Sequence, residues 1–270
     1  MVTPVAAESA PTSARRRRTR ERIRAFGLPI LALAMIVALW WLATVLFNIP
    51  TYLVPGPDLV VSKMIDLNSY LAEQTFVTTK ETVLGFGLAI LLGIPVAMSI
   101  ARFRLLEQML YPLLLAVNAV PKVAIAPILV VWMGFGLAPK IVMVVLLCFF
   151  PIVLATVAGL RSTPSELVEL SQSLDAGEIK EFVKVRFPWA LPQIFVGLKT
   201  AISLAVIGAV IAEFVGSSEG LGYVIVQSGA SADTALAFAA ITLLAIISIV
   251  LFYAIQLVER SLLPWAEENR

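Results

Sequence analysis

The sequence predicts an all-α polytopic membrane protein with six transmembrane helices. Of its 270 residues, 60% are hydrophobic and 14% are charged, and the mean hydropathy is +0.94, whereas about 25% of the residues of a soluble domain are charged. Apolar runs of roughly 20 residues, the length that a membrane-spanning helix needs, recur along the chain. Lys and Arg are unevenly divided between the connecting segments, and this asymmetry predicts a fixed orientation in the bilayer.

Six apolar segments are long enough to span the membrane. The third segment contains Pro112, Pro121 and Pro127, so we expect a tilted or broken helix there, because proline removes a helical hydrogen bond. The six segments are Phe26–Phe47, Val83–Ala101, Leu105–Met133, Ile141–Leu160, Ile194–Val215 and Ala235–Val258.

The basic residues predict that both termini lie in the cytoplasm. Residues 1–24 contain an arginine-rich run and form a tail that we expect to be disordered, whereas residues 25–265 form the membrane domain. With the tail inside, the outside segments hold only Lys63, Lys80 and Lys140 of the 20 lysine and arginine residues. The apolar run that follows the tail is longer than the core of a signal peptide, so no cleavable signal is expected.

A weak amphipathic pattern precedes the second span. Val60, Met64, Leu67 and Leu71 recur at helical spacing within Leu59–Leu71. The pattern predicts one helix that lies at the outer membrane interface.

A polar segment at residues 162–193, between the fourth and fifth spans, faces the cytoplasm in this orientation. Thr163 and Asp175 each precede a glutamate three residues later, and this spacing predicts two capped helices joined by a turn. Pro188 and Pro192 are expected to end the second helix. We call residues 162–193 the cytoplasmic loop.

The apolar stripe of the cytoplasmic loop has two possible partners, the lipid headgroups or another protein. Acidic residues outnumber basic residues between Glu166 and Arg186. An anionic membrane surface would disfavour such a segment, so the composition favours a protein that binds the amphipathic helix.

The loop resembles the cytoplasmic signature loop of binding-protein-dependent ABC importer permeases. Glu169, Leu170 and Ser171 stand at its Glu-Ala-Ala positions, and Asp175 stands at its glycine position. Both alanines and the glycine are therefore replaced, although the terminal prolines are kept. Two further blocks, Val120–Val142 and Ile211–Gln227, are similar to the nitrate, sulfonate and taurine importer group, which also includes transporters of thiamine-precursor pyrimidines.

The resemblance implies the type I ABC importer fold and a division of labour between subunits in a bacterial inner membrane. Two copies of the chain would form the translocation path, a dimer of ATPase subunits would grip the cytoplasmic loops, and an extracytoplasmic binding protein would deliver the substrate. The residues expected to contact the ATPase are Glu166, Glu169, Leu170, Ser171, Leu174, Asp175, Ala176, Gly177 and Pro192.

The chain itself is not expected to bind a cofactor, a metal or nucleic acid. It contains no Gly-Lys dipeptide and therefore no phosphate-binding loop of the GxxxxGK[ST] type, so ATP and Mg²⁺ would be bound by the partner ATPase. It also lacks histidine, the commonest general base, which makes an intramembrane enzyme a poor alternative. A secondary transporter or channel that needs no ATPase is the remaining alternative.

Five residues are candidates for lining the translocation path. A charge inside the membrane is costly and suggests function, and a broken span exposes backbone groups that are tolerated where they line a cavity. Lys122 would meet an anionic substrate, pair with Glu213 or extend to a surface; Glu213 would alternatively be solvated at the interface. The candidates are Asn118, Lys122, Trp132, Thr156 and Glu213.

Glycine and alanine residues mark two further features. Gly216–Gly222 is read as a hairpin between the fifth and sixth spans that contributes to an outer gate. Gly93 and Gly208 belong to small-residue stripes that allow close helix packing, either within one subunit or between subunits. These patterns leave the substrate open between inorganic anions, sulfonates, taurine and pyrimidines.

Overall fold

The computed structural model describes residues 12–266, with the side chains of residues 27–265. This part of the chain consists of helices and connecting turns, without a β-strand. The α-helices are α1 Thr12–Leu46, α2 Pro57–Asp66, α3 Asn68–Arg102, α4 Arg104–Asn118, α5 Ala126–Met133, α6 Leu137–Arg161, α7 Ser165–Ser173, α8 Glu178–Glu181, α9 Phe187–Gly216, α10 Leu221–Ala230 and α11 Thr234–Leu262.

The structure confirms the all-α membrane architecture. Five helices of the described part are long and apolar enough to cross a bilayer. The third predicted span is broken: α4 and the segment Lys122–Met133 form an angle of 81°, and Lys122–Ile125 is a 3₁₀ turn. If this bent pair counts as one crossing, the chain has the six predicted spans.

Helices α3, α6 and α9 form the centre of the bundle. Their facing residues include Ala89, Val144 and Ala205, each 0% exposed. Glycine allows this close approach, because a Cβ at Gly85 would lie 2.5 Å from the Val144 Cβ. A Cβ at Gly208 would likewise lie 3.0 Å from the Val144 Cα, so this glycine serves packing within one subunit.

The basic tail differs in part from the prediction. Helix α1 begins at Thr12, so residues 12–24 are helical rather than disordered, whereas residues 1–11 lie outside the described part. The reason is visible in the sequence: residues 12–26 contain neither glycine nor proline, and arginine is a good helix former.

The region before the second span also differs from the prediction. Instead of one interfacial helix over Leu59–Leu71, α2 ends at Asp66 and α3 begins at Asn68. Val60 and Leu71 are buried against residues of α9, α10 and α11, because their shared apolar face has a protein partner. Helix α10, between the fifth and sixth spans, was not predicted, because Gly220 and Gly222 at its start were interpreted as part of a hairpin.

Candidate coupling loop and buried polar cluster

The cytoplasmic loop contains a helix that ends in a tight glycine-type turn. After α7, the Asp175 amide donates to the Gln172 carbonyl at 3.0 Å and the Ala176 amide donates to the Ser171 carbonyl at 3.1 Å. This pair of bonds defines a Schellman motif, whose turn residue is usually glycine. Asp175 occupies that position with φ +55°, so the aspartate adopts the left-handed conformation that a glycine would otherwise supply.

The turn leaves an apolar surface exposed to solvent. Leu170 is 56% exposed and Leu174 is 75% exposed, while Ile179 of α8 is 76% exposed. The carboxylate-bearing Glu166 and Glu169 and the turn residues Asp175 and Gly177 are exposed beside them. Exposed large apolar side chains on a polar segment are typical of a protein interaction site.

Three of the expected contact residues are less accessible. Ser171 is 8% exposed and its hydroxyl donates to the Val168 carbonyl at 2.8 Å. Ala176 is half-buried in the turn, and Pro192 is half-buried within α9. These three residues stabilise the conformation of the loop, whereas the exposed residues form the surface that a partner could contact.

The predicted caps and helix ends of this loop were wrong. Helix α7 begins at Ser165, after Pro164, without a side-chain cap, and the Thr163 hydroxyl instead donates to the Leu160 carbonyl. Asp175 is the C-terminal turn residue of α7 and therefore does not cap α8.

The expected stop at Pro188 and Pro192 is wrong as well. The helix runs without interruption from Glu178 to Gly216 because a π-helical turn at Phe182–Arg186 precedes both prolines. The wider turn accommodates the carbonyl that a proline leaves without its usual donor.

Polar contacts that were not predicted stabilise the loop internally and join it to the bundle. The Arg186 guanidinium donates to Glu181 at 2.7 Å, and the Gln172 amide donates to the same carboxylate at 3.2 Å. Arg102, at the end of α3, pairs with Glu178. The sequence pattern does not indicate these partners, because Arg102 and Glu178 are 76 positions apart and meet only when α3 and α8 pack together.

The broken third span places the path candidates Asn118 and Trp132 on exposed surface and leaves Lys122 half-buried. The Lys122 ammonium donates to the Asn118 carbonyl and side-chain oxygens at 3.0 and 2.9 Å and lies 4.7 Å from the centre of the Phe150 ring. Trp132 is 75% exposed. Lys122 therefore does not pair with Glu213, because its own helix turn supplies its oxygen partners.

The other two path candidates lie inside the bundle. Thr156 is 0% exposed, and its hydroxyl has no hydrogen-bond partner among the described residues. Glu213 is 1% exposed, so it is not solvated at an interface. Glu213 nevertheless forms part of the wall of a cavity.

Glu213 belongs to a polar cluster at the end of the bundle opposite the cytoplasmic loop. The Thr78 hydroxyl donates to Glu213 at 2.7 Å, and the Gly222 amide donates to the other carboxylate oxygen at 2.5 Å. The Lys140 ammonium donates to Glu81 at 2.6 Å. We call Gln74, Thr78, Glu81, Lys140 and Glu213 the buried polar cluster.

Lys140, which the charge count assigned to the outer side of the membrane, is buried together with a carboxylate partner. Its side chain is 4% exposed and the side chain of Glu81 is 3% exposed. A lysine is buried in this way only when a carboxylate compensates its charge. The sequence placed Lys140 at the start of a span without indicating that partner.

The cluster borders a cavity beside the Gly216–Gly222 turn. The cavity measures about 470 Å³ and its wall includes Lys140, Glu213, Glu219 and Tyr223. Among the described residues, no group of three potential His, Cys, Asp or Glu ligands is arranged to hold a metal. Phe135, Phe214 and Val226 also contribute to the wall, so the cavity combines charged, polar and apolar surface.

Comparison with known proteins identifies the family. Residues 89–264 match the model of the binding-protein-dependent transport system inner membrane component family. A probable ABC transporter permease protein of Haemophilus influenzae is 38% identical over 84% of this chain and 93% of its own length.

Two further relatives have named substrates. The formylaminopyrimidine transport permease protein ThiX of Halalkalibacterium halodurans is 35% identical over 89% of this chain and 96% of its own length. The riboflavin transport system permease protein RibX of Chloroflexus aurantiacus is 36% identical over 89% of this chain and 90% of its own length.

A solved structure shows the same fold. A chain of the MetNI methionine ABC transporter in an inward-facing conformation superposes with a TM-score of 0.64 at 20% identity, over 73% of this chain and 97% of that chain. The chain therefore belongs to the binding-protein-dependent transport system inner membrane component family and is the membrane-spanning permease subunit of an ABC importer.

Proposed function

We propose that the cytoplasmic loop couples this permease to a separate ATPase dimer, and that two copies of the chain form the path for a substrate delivered by a binding protein. The observation that carries this proposal is the exposed apolar surface of Leu170, Leu174 and Ile179 beside a rigid turn. An apolar helix face of this kind suits a groove on a partner protein.

The ionic contacts explain how such a loop would transmit motion. Arg102 joins α8 to α3, and Arg186 joins the π-helical turn to Glu181. Because α8 continues into α9 as one helix, a displacement of the loop would be transmitted to the membrane-spanning part of α9. ATP and Mg²⁺ would remain in the ATPase subunits.

Co-purification with the ATPase subunit tests this coupling. Leu170→Asp is expected to reduce the recovered ATPase at least tenfold, because the substitution puts a charge into an apolar contact. Val61→Asp is the matched control, since Val61 is 54% exposed on α2. Equal ATPase recovery with wild type and Leu170→Asp would refute the coupling role of this surface.

The proposed substrate class is a small heteroaromatic metabolite, with anions such as sulfonates as the competing class. Relatives named for formylaminopyrimidine and riboflavin support it. The exposed Trp132 ring and the Lys122–Asn118 pair beside Phe150 offer an aromatic face and a hydrogen-bonding cation.

Uptake into vesicles that contain the permease, its ATPase and its binding protein tests the substrate class. A labelled pyrimidine or flavin should accumulate with ATP, and an excess of taurine or an alkanesulfonate should not compete. Transport of the sulfonate instead, with no pyrimidine or flavin uptake, would overturn the substrate class while leaving the importer role intact.

A further inference from the structure

The buried polar cluster brings together three ionisable groups from three helices. Glu81 comes from α3, Lys140 from α6 and Glu213 from α9. The three residues are 2%, 3% and 1% exposed. If all three were ionised, the cluster would carry a net charge of −1 in a region with little solvent, an arrangement that proteins avoid by neutralising one group.

The hydrogen bonds show which carboxyl oxygen is available to carry a neutralising proton. Glu81 accepts from Lys140 through one oxygen, and its other oxygen is buried without a donor among the described residues. Thr78, which donates to Glu213, lies three residues before Glu81 on α3. Residues at this spacing share one helix face, so the Glu81 and Glu213 carboxyl groups are neighbours. Two ionised carboxylates can only accept, so this contact becomes a hydrogen bond when one carboxyl carries a proton.

The same cluster holds the turn that follows α9. The Gly220 amide donates to Gln74 at 2.6 Å, and the Leu221 amide donates to the Thr78 hydroxyl at 2.8 Å. Thr78 in turn donates to Glu213, which also accepts from the Gly222 amide. The position of the turn therefore depends on the Glu213 carboxyl group.

The fit between turn and carboxyl group is close. A Cβ at Gly220 would lie 2.2 Å from a Glu213 oxygen, and a Cβ at Gly222 would lie 2.7 Å from the other. Gly220 also has φ +101°, a conformation that glycine adopts without strain. Any displacement of the carboxyl group would therefore move the turn.

We propose that Glu81 and Glu213 form a proton-binding site, in which one proton is shared between the two carboxyl groups and Lys140 balances the remaining charge, and that this proton holds the Gly216–Gly222 turn against α3. Removal of the proton leaves two adjacent carboxylates, which repel each other across α3 and α9. The cavity, lined by Glu213 and Lys140, gives water a route to the pair. Glu219 and Tyr223 are the other ionisable groups on its wall.

Infrared spectroscopy of the purified protein tests the proton directly. At neutral pH the wild type should show the carbonyl band of a protonated carboxyl group. Glu81→Gln and Glu213→Gln should each abolish that band, because Lys140 then balances the one remaining carboxylate. Lys140→Met should roughly double it, because both acids lose their counter-charge.

Glu259→Gln is the matched control, since Glu259 accepts from Lys199 at 2.8 Å in a pair that already balances its charge. This variant should keep the band at wild-type intensity. A wild-type protein without the band, or a band that survives in the double variant Glu81→Gln/Glu213→Gln, would overturn the proposal.

A second measurement follows the turn and needs no charge substitution in the cluster. Ser218→Cys places a thiol on the exposed part of the turn, and Val61→Cys serves as the reference for the intrinsic rise of thiol reactivity with pH. The labelling ratio of Ser218→Cys to Val61→Cys should increase several-fold at alkaline pH and stay constant when Glu81→Gln is added. A ratio that does not change with pH in the otherwise wild-type protein would contradict the role of the proton.

Discussion

Asp175 shows how one residue can supply a conformation that is normally left to glycine. It stands in the left-handed region at the end of α7, where both hydrogen bonds of the turn depend on its backbone. Aspartate tolerates this region better than most residues with a side chain, whereas β-branched residues do not. The side chain is exposed, so its substitution alters the turn without changing the packed interior of the subunit.

Asp175→Gly should stabilise the protein by about 0.5–1 kcal/mol, because glycine adopts the left-handed region without a Cβ penalty. Asp175→Val should destabilise it by about 1–3 kcal/mol and weaken ATPase recovery, since valine is strained there. Thermal unfolding of the detergent-solubilised protein, followed by co-purification, measures both effects. Equal stability of the two variants would show that the turn conformation is not required.

At the scale of elements, the close approach of α3 to α6 depends on glycine at Gly85. Gly85 faces α6, where a Cβ would lie 2.5 Å from the Val144 Cβ and 3.2 Å from the Ile141 carbonyl oxygen. A Cβ at Gly87, two residues later on the same helix, would have no packing neighbour within 4 Å. The two glycines differ in packing and share their helical context.

Gly85→Ala should therefore destabilise the bundle by about 1–3 kcal/mol, because an added methyl group overpacks the interface. Gly87→Ala should be neutral or stabilising by up to about 1 kcal/mol, because alanine favours a helix interior. The midpoint of thermal unfolding, compared between the two variants, checks this difference. A Gly85→Ala variant as stable as Gly87→Ala would contradict the close packing of α3 on α6.

At the scale of the whole molecule, the proposed orientation puts the cytoplasmic loop and the Gly216–Gly222 turn on opposite sides of the membrane. The single cysteine, Cys148, is buried, so it should react little with a thiol reagent and a new exposed cysteine can be labelled selectively. In intact cells, a membrane-impermeant maleimide should label Ser218→Cys and leave Leu174→Cys unlabelled until the cells are opened. The reverse labelling order would invert the topology and remove the coupling role of the loop.

Large apolar side chains are also exposed at the end of the broken third span and in the turn that follows it. Val131 is 83% exposed, Trp132 is 75% exposed and Phe135 is 80% exposed. A second copy of the chain is the proposed partner for this surface, because two copies would enclose a path between them.

Native mass spectrometry of the purified permease should show a dimer, and Val131→Lys should shift it towards the monomer by at least tenfold, because a buried charge without a partner is costly. Val250→Lys on α11 is the control, since Val250 is 59% exposed away from this surface. A dimer unaffected by Val131→Lys would place the subunit interface elsewhere.

The sequence by itself determined the all-α membrane class, the six spans with a break in the third, the polar loop between the fourth and fifth spans and the importer family. These features follow from composition, from apolar runs matched to bilayer thickness and from motifs, all of which are local along the chain. The exposed part of the loop surface, with Leu170 and Leu174, was also predicted from local pattern.

Only the tertiary structure decided which polar groups meet. Lys140, which the charge count assigned to the outer side of the membrane, is buried against Glu81. For Lys122 the sequence left a substrate, Glu213 and a surface open, and the side chain binds Asn118. The helix stop at Pro188 was wrong because a π-helical turn before it keeps the helix continuous. Glu81, the partner of the buried Lys140, lies 59 positions away on another helix, and only helix packing brings the two together. The Lys122–Asn118 contact and the π-helical turn are local along the chain, but they depend on backbone geometry that the pattern of residue types does not specify.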